Sequence, residues 1–411
     1  MCSLEDNMAP YANSDMRALT ESVRRFAEKE LAPHADELDR EERLAPGIFK
    51  RLGDLGILGL NVPQQFGGLG LGAVALVSVA EELSYADPGS CLSFLAHSLL
   101  FGHNLAVTGS PEQLNQYLPD VISGHLVGAF AMTEPSAGSD VLSMQTHAVL
   151  QGDHYVLNGT KMFITNGPIA DVFLVCARTG DDRKNLSMFI VDRNMRGFSA
   201  GQRLNKMGMR ASPTSELVFK DCIVPVENRV GAEGESVKVM MKNLDIERVG
   251  LAGMSLGIAR ACLDIALKYS SEREQFGQPI LNYQSVSEKI ANMYINYRAA
   301  RALVYEAAQV IDEHRRANQE AAAAKVFASE MATKTALDAI QVMGGYGYIR
   351  QFPVERLMRD AKLLEIGGGA SGILRGVIVK EFMRKMQPRN EHPRSEHPRS
   401  ENHSKKESAP Q

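Results

Sequence analysis

Residues 235–258 read Glu-Ser-Val-Lys-Val-Met-Met-Lys-Asn-Leu-Asp-Ile-Glu-Arg-Val-Gly-Leu-Ala-Gly-Met-Ser-Leu-Gly-Ile. Within this stretch Val237, Met240, Leu244, Glu247, Leu251, Met254 and Ile258 follow one another at steps of three or four, the spacing of one helix face. The stripe is apolar except for one carboxylate, Glu247. A glutamate is almost never fully buried unless it is paired or has a function. Two readings follow from the residues alone: a buried ion pair with an arginine such as Arg248 or Arg260, or an acid with work to do.

Working outward from this helix, its period continues almost to Met386 through alanine-rich runs such as Gln319–Ala332, which predicts a bundle of long helices over 235–386. Upstream, over 126–234, the texture is different. Short alternating runs (His154–Leu157, Val172–Val175, Met188–Val191, Leu217–Phe219) are separated by turn chemistry at Asn158-Gly159, Asn166-Gly167-Pro168 and Thr179-Gly180-Asp181, the pattern of a small β domain. Further upstream the helical period rules again over 1–125, beginning with Met16, Leu19, Val23, Phe26, Ala27 and Leu31. The glycine-rich run Gly67–Gly72 follows Asn61-Val62-Pro63-Gln64-Gln65 rather than a strand, so it reads as a turn, not a phosphate cradle. The expected order is therefore an α domain, a β-barrel-like domain and a four-helix-bundle domain. Residues 387–411 have almost no large apolar side chains and repeat Glu-His-Pro-Arg-Ser at 391–395 and 396–400, which predicts a disordered tail outside the chemistry.

Composition excludes several classes. The 411 residues are 44% hydrophobic, enough for a substantial core, and the net charge of -4 with dispersed Lys and Arg argues against a nucleic-acid partner. No uninterrupted apolar run reaches membrane-spanning length, and Glu5, Asp6 and Asp15 stand where a transit peptide is basic, so the expected location is cytoplasmic. Cys2, Cys91, Cys176, Cys222 and Cys262 are scattered and odd in number, and the ten histidines show no paired spacing, so neither a disulfide framework nor a metal site is expected.

Five segments, in this order and at these separations, resemble the acyl-CoA dehydrogenase family. They are Ala131-Met-Thr-Glu-Pro-Ser-Ala-Gly-Ser-Asp140, Asn158-Gly-Thr-Lys-Met-Phe-Ile-Thr-Asn-Gly167, Arg273-Glu-Gln-Phe-Gly277, Gln341-Val-Met-Gly-Gly-Tyr-Gly-Tyr348 and Arg359-Asp-Ala-Lys362. The resemblance covers roughly residues 10 to 385 and is nearest to the isovaleryl-CoA dehydrogenase-like branch, which shares Leu244-Asp-Ile-Glu-Arg248 and a glycine-rich loop after Lys362. It implies the three-domain fold of that family. It also implies a reaction: a base takes the α-proton of an acyl-CoA thioester while the β-hydrogen leaves as hydride to N5 of FAD, giving a trans-2-enoyl-CoA.

In most of the family the base lies in a C-terminal loop, and the matching position here is Gly368, in Ile366-Gly-Gly-Gly-Ala-Ser-Gly-Ile373. Glycine cannot take a proton. The isovaleryl-type branch carries its base at the position matching Glu247, which makes Glu247 the expected base, with Glu365 as the rival. A loop of Gly367, Gly368 and Gly369 also opens volume near the reacting carbons, which suits an acyl chain branched close to the thioester.

For FAD the resemblance implies Phe130, Met132, Thr133, Ser139, Phe163 and Thr165 around the isoalloxazine and pyrophosphate. Arg273, Phe276, Gln284, Gln341, Gly344 and Gly345 are expected to complete the dinucleotide site across a subunit boundary. Arg273 suits a pyrophosphate because guanidinium offers a rigid fork of donors. Phe163 stands where much of the family has tryptophan, and Ala370 and Gly372 replace two polar contacts to the flavin, each worth ~0.5–1.5 kcal/mol. Ser139, Asp245, Arg248, Gly368 and Gly369 match positions that touch the acyl-CoA. Implied partners are an electron-transferring flavoprotein as oxidant and further copies of the chain in a homotetramer. A relative that binds flavin or acyl-CoA without dehydrogenating is the competing expectation; an oxidase fits less well, because such relatives run longer.

Overall fold

Asn13 accepts from the Met16 amide and so caps α1 (Ser14–Phe26). That helix opens a layer continued by α2 (Ala35–Glu41), α3 (Ile48–Asp54), α4 (Ala73–Ala86), α5 (Pro88–Leu95), α6 (Asn104–Thr108) and α7 (Pro111–Ile122). The starts of these helices are written in local chemistry. Asp87 accepts from the Gly89 and Ser90 amides ahead of α5, and Ser110 with Gln113 forms a capping box around Pro111 at the start of α7. Between α5 and α6 the backbone widens into a π-helix over Ala96–His103. The structure, a computed structural model, describes residues 13–386, apart from the side chains of 237–242. Cys2, the side chains of Val237 and Met240, and the tail expected to be disordered lie outside the described residues.

Strands β1 (Gly128–Ala131), β2 (His147–Gln151), β3 (His154–Thr165), β4 (Val172–Arg178), β5 (Leu186–Asp192), β6 (Phe198–Arg203), β7 (Thr214–Pro225) and β8 (Arg229–Val230) form one sheet in the order β6-β7-β3-β2-β4-β5-β8. Strand β1 lies parallel to β4. The run Val172–Ala177 has no polar alternation because both of its faces are covered. Val172, Leu174 and Cys176 share a core with Phe101, Leu105, Leu118 and Val121 of the helical layer, while Phe173, Val175 and Ala177 join Phe189, Val191, Leu217 and Phe219 in a second core.

Asn158-Gly159 corrects an expectation: it is not a turn but a bulge inside β3, where the register with β7 shifts between Leu157 and Gly159. Asn158 exchanges hydrogen bonds with the backbone and side chain of Asp221, and a Cβ on Gly159 would fall 2.4 Å from Thr146 Oγ1. The glycine is there for close approach, not for chain reversal.

The third layer contains α8 (Ser236–Glu272), α9 (Gln284–Asp312), α10 (Asn318–Met343), α11 (Val354–Leu364) and α12 (Ser371–Met386). Two helical stretches, Pro88–Thr108 and Asn243–Glu272, are long and apolar enough by composition to cross a membrane, although neither is an uninterrupted apolar run. Their most apolar windows are 67% and 83% buried inside the fold, as expected of core helices.

Helix α4 is locked to this bundle by charges that it cannot satisfy itself. Asp312 of α9 caps it, accepting from the Ala73 and Val74 amides. Glu81 accepts from Tyr297 (2.7 Å), Tyr305 (2.9 Å) and Arg301 (3.3 Å). Glu82 is gripped by Arg24 (3.2 Å) and Arg260 (2.7 Å). Burial pushes the Glu82 carboxyl up, but the two guanidiniums outweigh it and hold it at about 2.

Candidate active site

Helix α8 delivers Glu247 to a narrow cleft. Asn243, Leu244, Ile246 and Glu247 form one wall, Leu99, Leu100, His103 and Asn104 of the π-turn region another, and Phe130 and Met132 of β1 and its continuation the third. Among the described residues nothing hydrogen-bonds or ion-pairs with the Glu247 carboxylate. The arginines that offered the ion-pair reading are engaged elsewhere: Arg248 donates to Asp245 at 2.9 Å, and Arg260 holds Glu82. Burial pushes Glu247 up to about 7, against the opposing pull of Arg248 and Lys325. Asp245 is also pushed up by burial, to about 6, although Arg248 opposes it and the Asn318 amide, with its nitrogen turned toward the carboxylate, donates at 3.0 Å.

The glycine turn between α11 and α12 closes over Glu247. Gly368 has φ +63° and Gly369 φ +99°, both in the region that disfavours side chains. A Cβ on Gly368 would lie 2.2 Å from Leu251 Cδ1 and 3.5 Å from Glu247 Oε1. The helix carboxylate thus reaches the point from which a side chain on the loop would emerge, and Leu251, one turn further along α8, occupies the space such a side chain would need. Lys325 of α10, fully buried, donates from Nζ to the Gly369 carbonyl at 2.6 Å. Burial brings its ammonium down to about 8, although Glu247 acts in the other direction. Glu365 is differently placed. Burial would raise its carboxyl, but hydrogen bonds from Lys362 (2.8 Å) and Thr333 outweigh this and hold it below its ordinary range.

On the β side, the segment after β1 is clamped from beneath. Lys161 and Glu134, both buried, pair at 2.8 Å, and Lys161 also donates to the Met132 carbonyl at 3.0 Å. Glu134 accepts from the Gln145 and Thr146 amides, and the Met162 amide donates to the Thr133 carbonyl. Beside this clamp the β3 register slips between Lys161 and Ile164, and Phe163, at φ +61°, turns outward to 64% exposure. Phe130, Met132, Thr133 and Thr165 are half-buried, while Ser139 is exposed on the following loop and does not line the cleft.

Three of the remaining expected residues line a second cleft elsewhere in the same chain, and three do not. Arg273, Gly344 and Gly345 line it with Tyr269, Val342 and Tyr346. Among the described residues Arg273 has no hydrogen-bonding or carboxylate partner for its side chain and lies 5.8 Å from the centre of the Tyr346 ring. Cβ atoms on Gly344 and Gly345 would meet nothing within 4 Å. Phe276 is 96% exposed at a hairpin tip, and Gln284 and Gln341 are exposed nearby in sequence. The two groups suit the two halves of a flavin dinucleotide: Phe130, Met132 and Phe163 offer an uncovered apolar face for a ring system, and a free guanidinium beside bare backbone suits a pyrophosphate. Leu99, Leu100, His103, Asn104, Asn243 and Lys325 escaped the sequence reading. For Lys325 there was a signal, one lysine in the small-residue run Ala321–Ala332; for the cleft-lining residues there was none beyond a polar His103-Asn104 pair ending an apolar stretch.

The chain matches "Acyl-CoA dehydrogenase, N-terminal domain" over residues 13–125, "Acyl-CoA dehydrogenase, middle domain" over 129–222 and "Acyl-CoA dehydrogenase, C-terminal domain" over 234–383. It is 44% identical over 369 residues to a mitochondrial isovaleryl-CoA dehydrogenase of Oryza sativa subsp. japonica, covering 89% of this chain and 90% of that protein. It is 41% identical to a mitochondrial 2-methylacyl-CoA dehydrogenase of Solanum tuberosum, covering 93% and 95%. The solved butyryl-CoA dehydrogenase of Megasphaera elsdenii superposes with a TM-score of 0.89 at 36% identity, covering 92% of this chain and all of that one.

Proposed function

The chain belongs to the acyl-CoA dehydrogenase family, and from that premise we propose that it dehydrogenates a short or medium, branched acyl-CoA to the trans-2-enoyl-CoA, with Glu247 taking the α-proton. It is an oxidoreductase acting on a CH–CH bond, and its cofactor is FAD. When bound, FAD supplies the acceptor for the β-hydrogen, which leaves as hydride to N5. Everything else falls to side chains of this protein.

The observation that carries the proposal is the state of Glu247: a carboxylate without a partner among the described residues, raised to about 7, and 3.5 Å from where a side chain at position 368 would begin. A base with that proton affinity is well matched to neutral pH. The apolar walls from Leu99, Leu100, Phe130, Met132 and Leu244 keep water from competing for the carboxylate. Asp245 and Arg248, with Ser139 and the backbone of Gly368 and Gly369, are assigned to hold and orient the thioester. Phe130, Met132, Thr133, Phe163, Thr165 and Ser139 are assigned to one part of FAD. Arg273, Phe276, Gln284, Gln341, Gly344 and Gly345 are assigned to the dinucleotide bound by a neighbouring subunit of a homotetramer, which supports reading the two separate clefts as halves of a shared site.

Preference for a branched chain is supported by relatives named for isovaleryl and 2-methylacyl thioesters, whereas the space beside Gly368 that the sequence reading left for a branch is taken up by Leu251. An electron-transferring flavoprotein as oxidant and a cytoplasmic location complete the proposal. The test is anaerobic bleaching of the flavin band by isovaleryl-CoA, 2-methylbutyryl-CoA, butyryl-CoA and octanoyl-CoA. Glu247→Gln is expected to slow bleaching by roughly 10²–10⁴-fold while leaving the oxidised flavin spectrum unchanged. Full-rate bleaching by that variant refutes the assignment of the base, and no bleaching of the unaltered protein by any thioester favours the non-dehydrogenating relative.

A further inference from the structure

Lysine is seldom fully buried, because taking an ammonium out of water is costly unless it is compensated. Lys325 is buried to 0% exposure in α10, and Ala321, Ala322, Ala324, Ala328 and Ser329 of the same helix are buried as well. Its one hydrogen bond among the described residues, 2.6 Å from Nζ to the Gly369 carbonyl, is made to the turn whose next residue back, Gly368, would place a Cβ 3.5 Å from Glu247 Oε1. The charged groups around Lys325 are Glu247 and Arg248 from α8, Glu365 at the end of α11 and Glu330 from α10; those around Glu247 are Arg248 and Lys325.

We infer that Lys325 is the positioning residue of this site: its ammonium ties the glycine turn down beside Glu247 and sets a cation on that side of the carboxylate. The inference rests on Glu247 being the base. A turn carbonyl alone would need only a neutral donor. A full charge in the same place does something a neutral donor cannot, since a cation near a carboxyl favours the carboxylate while Arg248, the other cation nearby, is engaged with Asp245. A second effect is mechanical: with the 367–369 turn tied to α10, the distance between turn and base is held when an acyl chain enters between them.

The experiment uses the FAD-loaded protein and anaerobic stopped-flow reduction by isovaleryl-CoA across pH 5.5–9. In Lys325→Met the midpoint of the rate profile is expected to move up by about 1 pH unit and the plateau rate to fall about 10–100-fold. Lys325→Gln, which keeps a donor but no charge, is expected to show the same midpoint shift with a smaller loss of rate, and Lys325→Arg to return the midpoint to its original place. A tie of purely structural value would lower the rate and leave the midpoint still. An unmoved midpoint in Lys325→Met or Lys325→Gln therefore overturns the inference. Should neither fold, Lys325→Arg decides, because a displaced midpoint in a variant that keeps the charge overturns it equally. Absence of bleaching in the unaltered protein overturns the dehydrogenase reading and this inference with it; bleaching with an unmoved midpoint overturns this inference alone.

Discussion

Replacing Gly368 by alanine tests the geometry of the turn with a single methyl group. An L-residue at φ +63° costs about 1–2 kcal/mol relative to glycine. The new Cβ would also stand 2.2 Å from Leu251 Cδ1, a distance that cannot persist. Because that atom is the free end of a side chain, Leu251 can swing aside for roughly 0.5–1.5 kcal/mol of rotamer strain. Together these give a loss of about 1.5–3.5 kcal/mol, which at ~2–4 °C per kcal/mol for a unit of this size is a drop of roughly 3–14 °C in thermal midpoint. Differential scanning fluorimetry of the FAD-loaded protein measures it. Leu251→Ala by itself should cost ~2–5 kcal/mol as a buried truncation, yet in the Gly368→Ala background it should cost less, since the overlap is relieved. The reasoning is refuted if Gly368→Ala melts with the unaltered protein, or if the two substitutions add without coupling. The same geometry predicts that Glu247→Gln/Gly368→Glu, which moves a carboxylate onto the loop, recovers little flavin reduction unless Leu251 is trimmed as well.

Glu247 rises from 4.5 in the unfolded chain to about 7 in the fold, so its contribution to stability is fully present below pH 4.5 and lost as pH rises through 7. Urea unfolding should show this as on the order of 3 kcal/mol, and Glu247→Gln should flatten the slope in that window. His97 runs the other way. Burial lowers its ring to about 4 while Nε2 faces the Val121 carbonyl and Nδ1 accepts from the Gly128 amide, so stability present above pH 6.5 is lost as pH falls toward 4. His97→Gln should be less stable at neutral pH but less sensitive to acid, as denaturant midpoints at pH 7 and 5 would show. Arg273→Met should raise the dissociation constant for FAD by roughly 10–100-fold and leave the melting point of the flavin-free protein unchanged, because the guanidinium has no internal partner among the described residues to lose; equilibrium dialysis of FAD checks it.

The order of helices, strands and helices was legible because the two hydrophobic periods differ and each persists over long stretches. Strand β4 announced burial on both faces through its unbroken apolar run. Asn158-Gly159 misled because the same dipeptide serves a hairpin turn and a bulge, and only the Thr146 side chain across the sheet decides between them. Glu247 stood out since a lone carboxylate on an apolar stripe needs a reason, yet its lack of a partner depends on where Arg248 and Arg260 point, which local sequence does not encode. His103, Asn104 and Asn243 meet only through tertiary packing, and Lys325 reads as one more helix-forming residue until its depth is known. The separation of the expected FAD residues into two clefts likewise follows from the shape of the bundle rather than from any motif.

The way α4 is held has a consequence for biosynthesis. Its amino-terminal cap comes from Asp312, and its two adjacent acids find their hydroxyl and guanidinium partners chiefly on α8 and α9. While the chain is being made, the first seven helices therefore emerge from the ribosome with an uncapped helix, with Glu81 left to water and Glu82 paired with Arg24 alone, and this region has to wait for some two hundred further residues before it can close. A chain cut off before Asp312 is expected to leave that first layer open and prone to clump, so the end of α9, far from the chemistry, is a checkpoint for whether the protein matures at all.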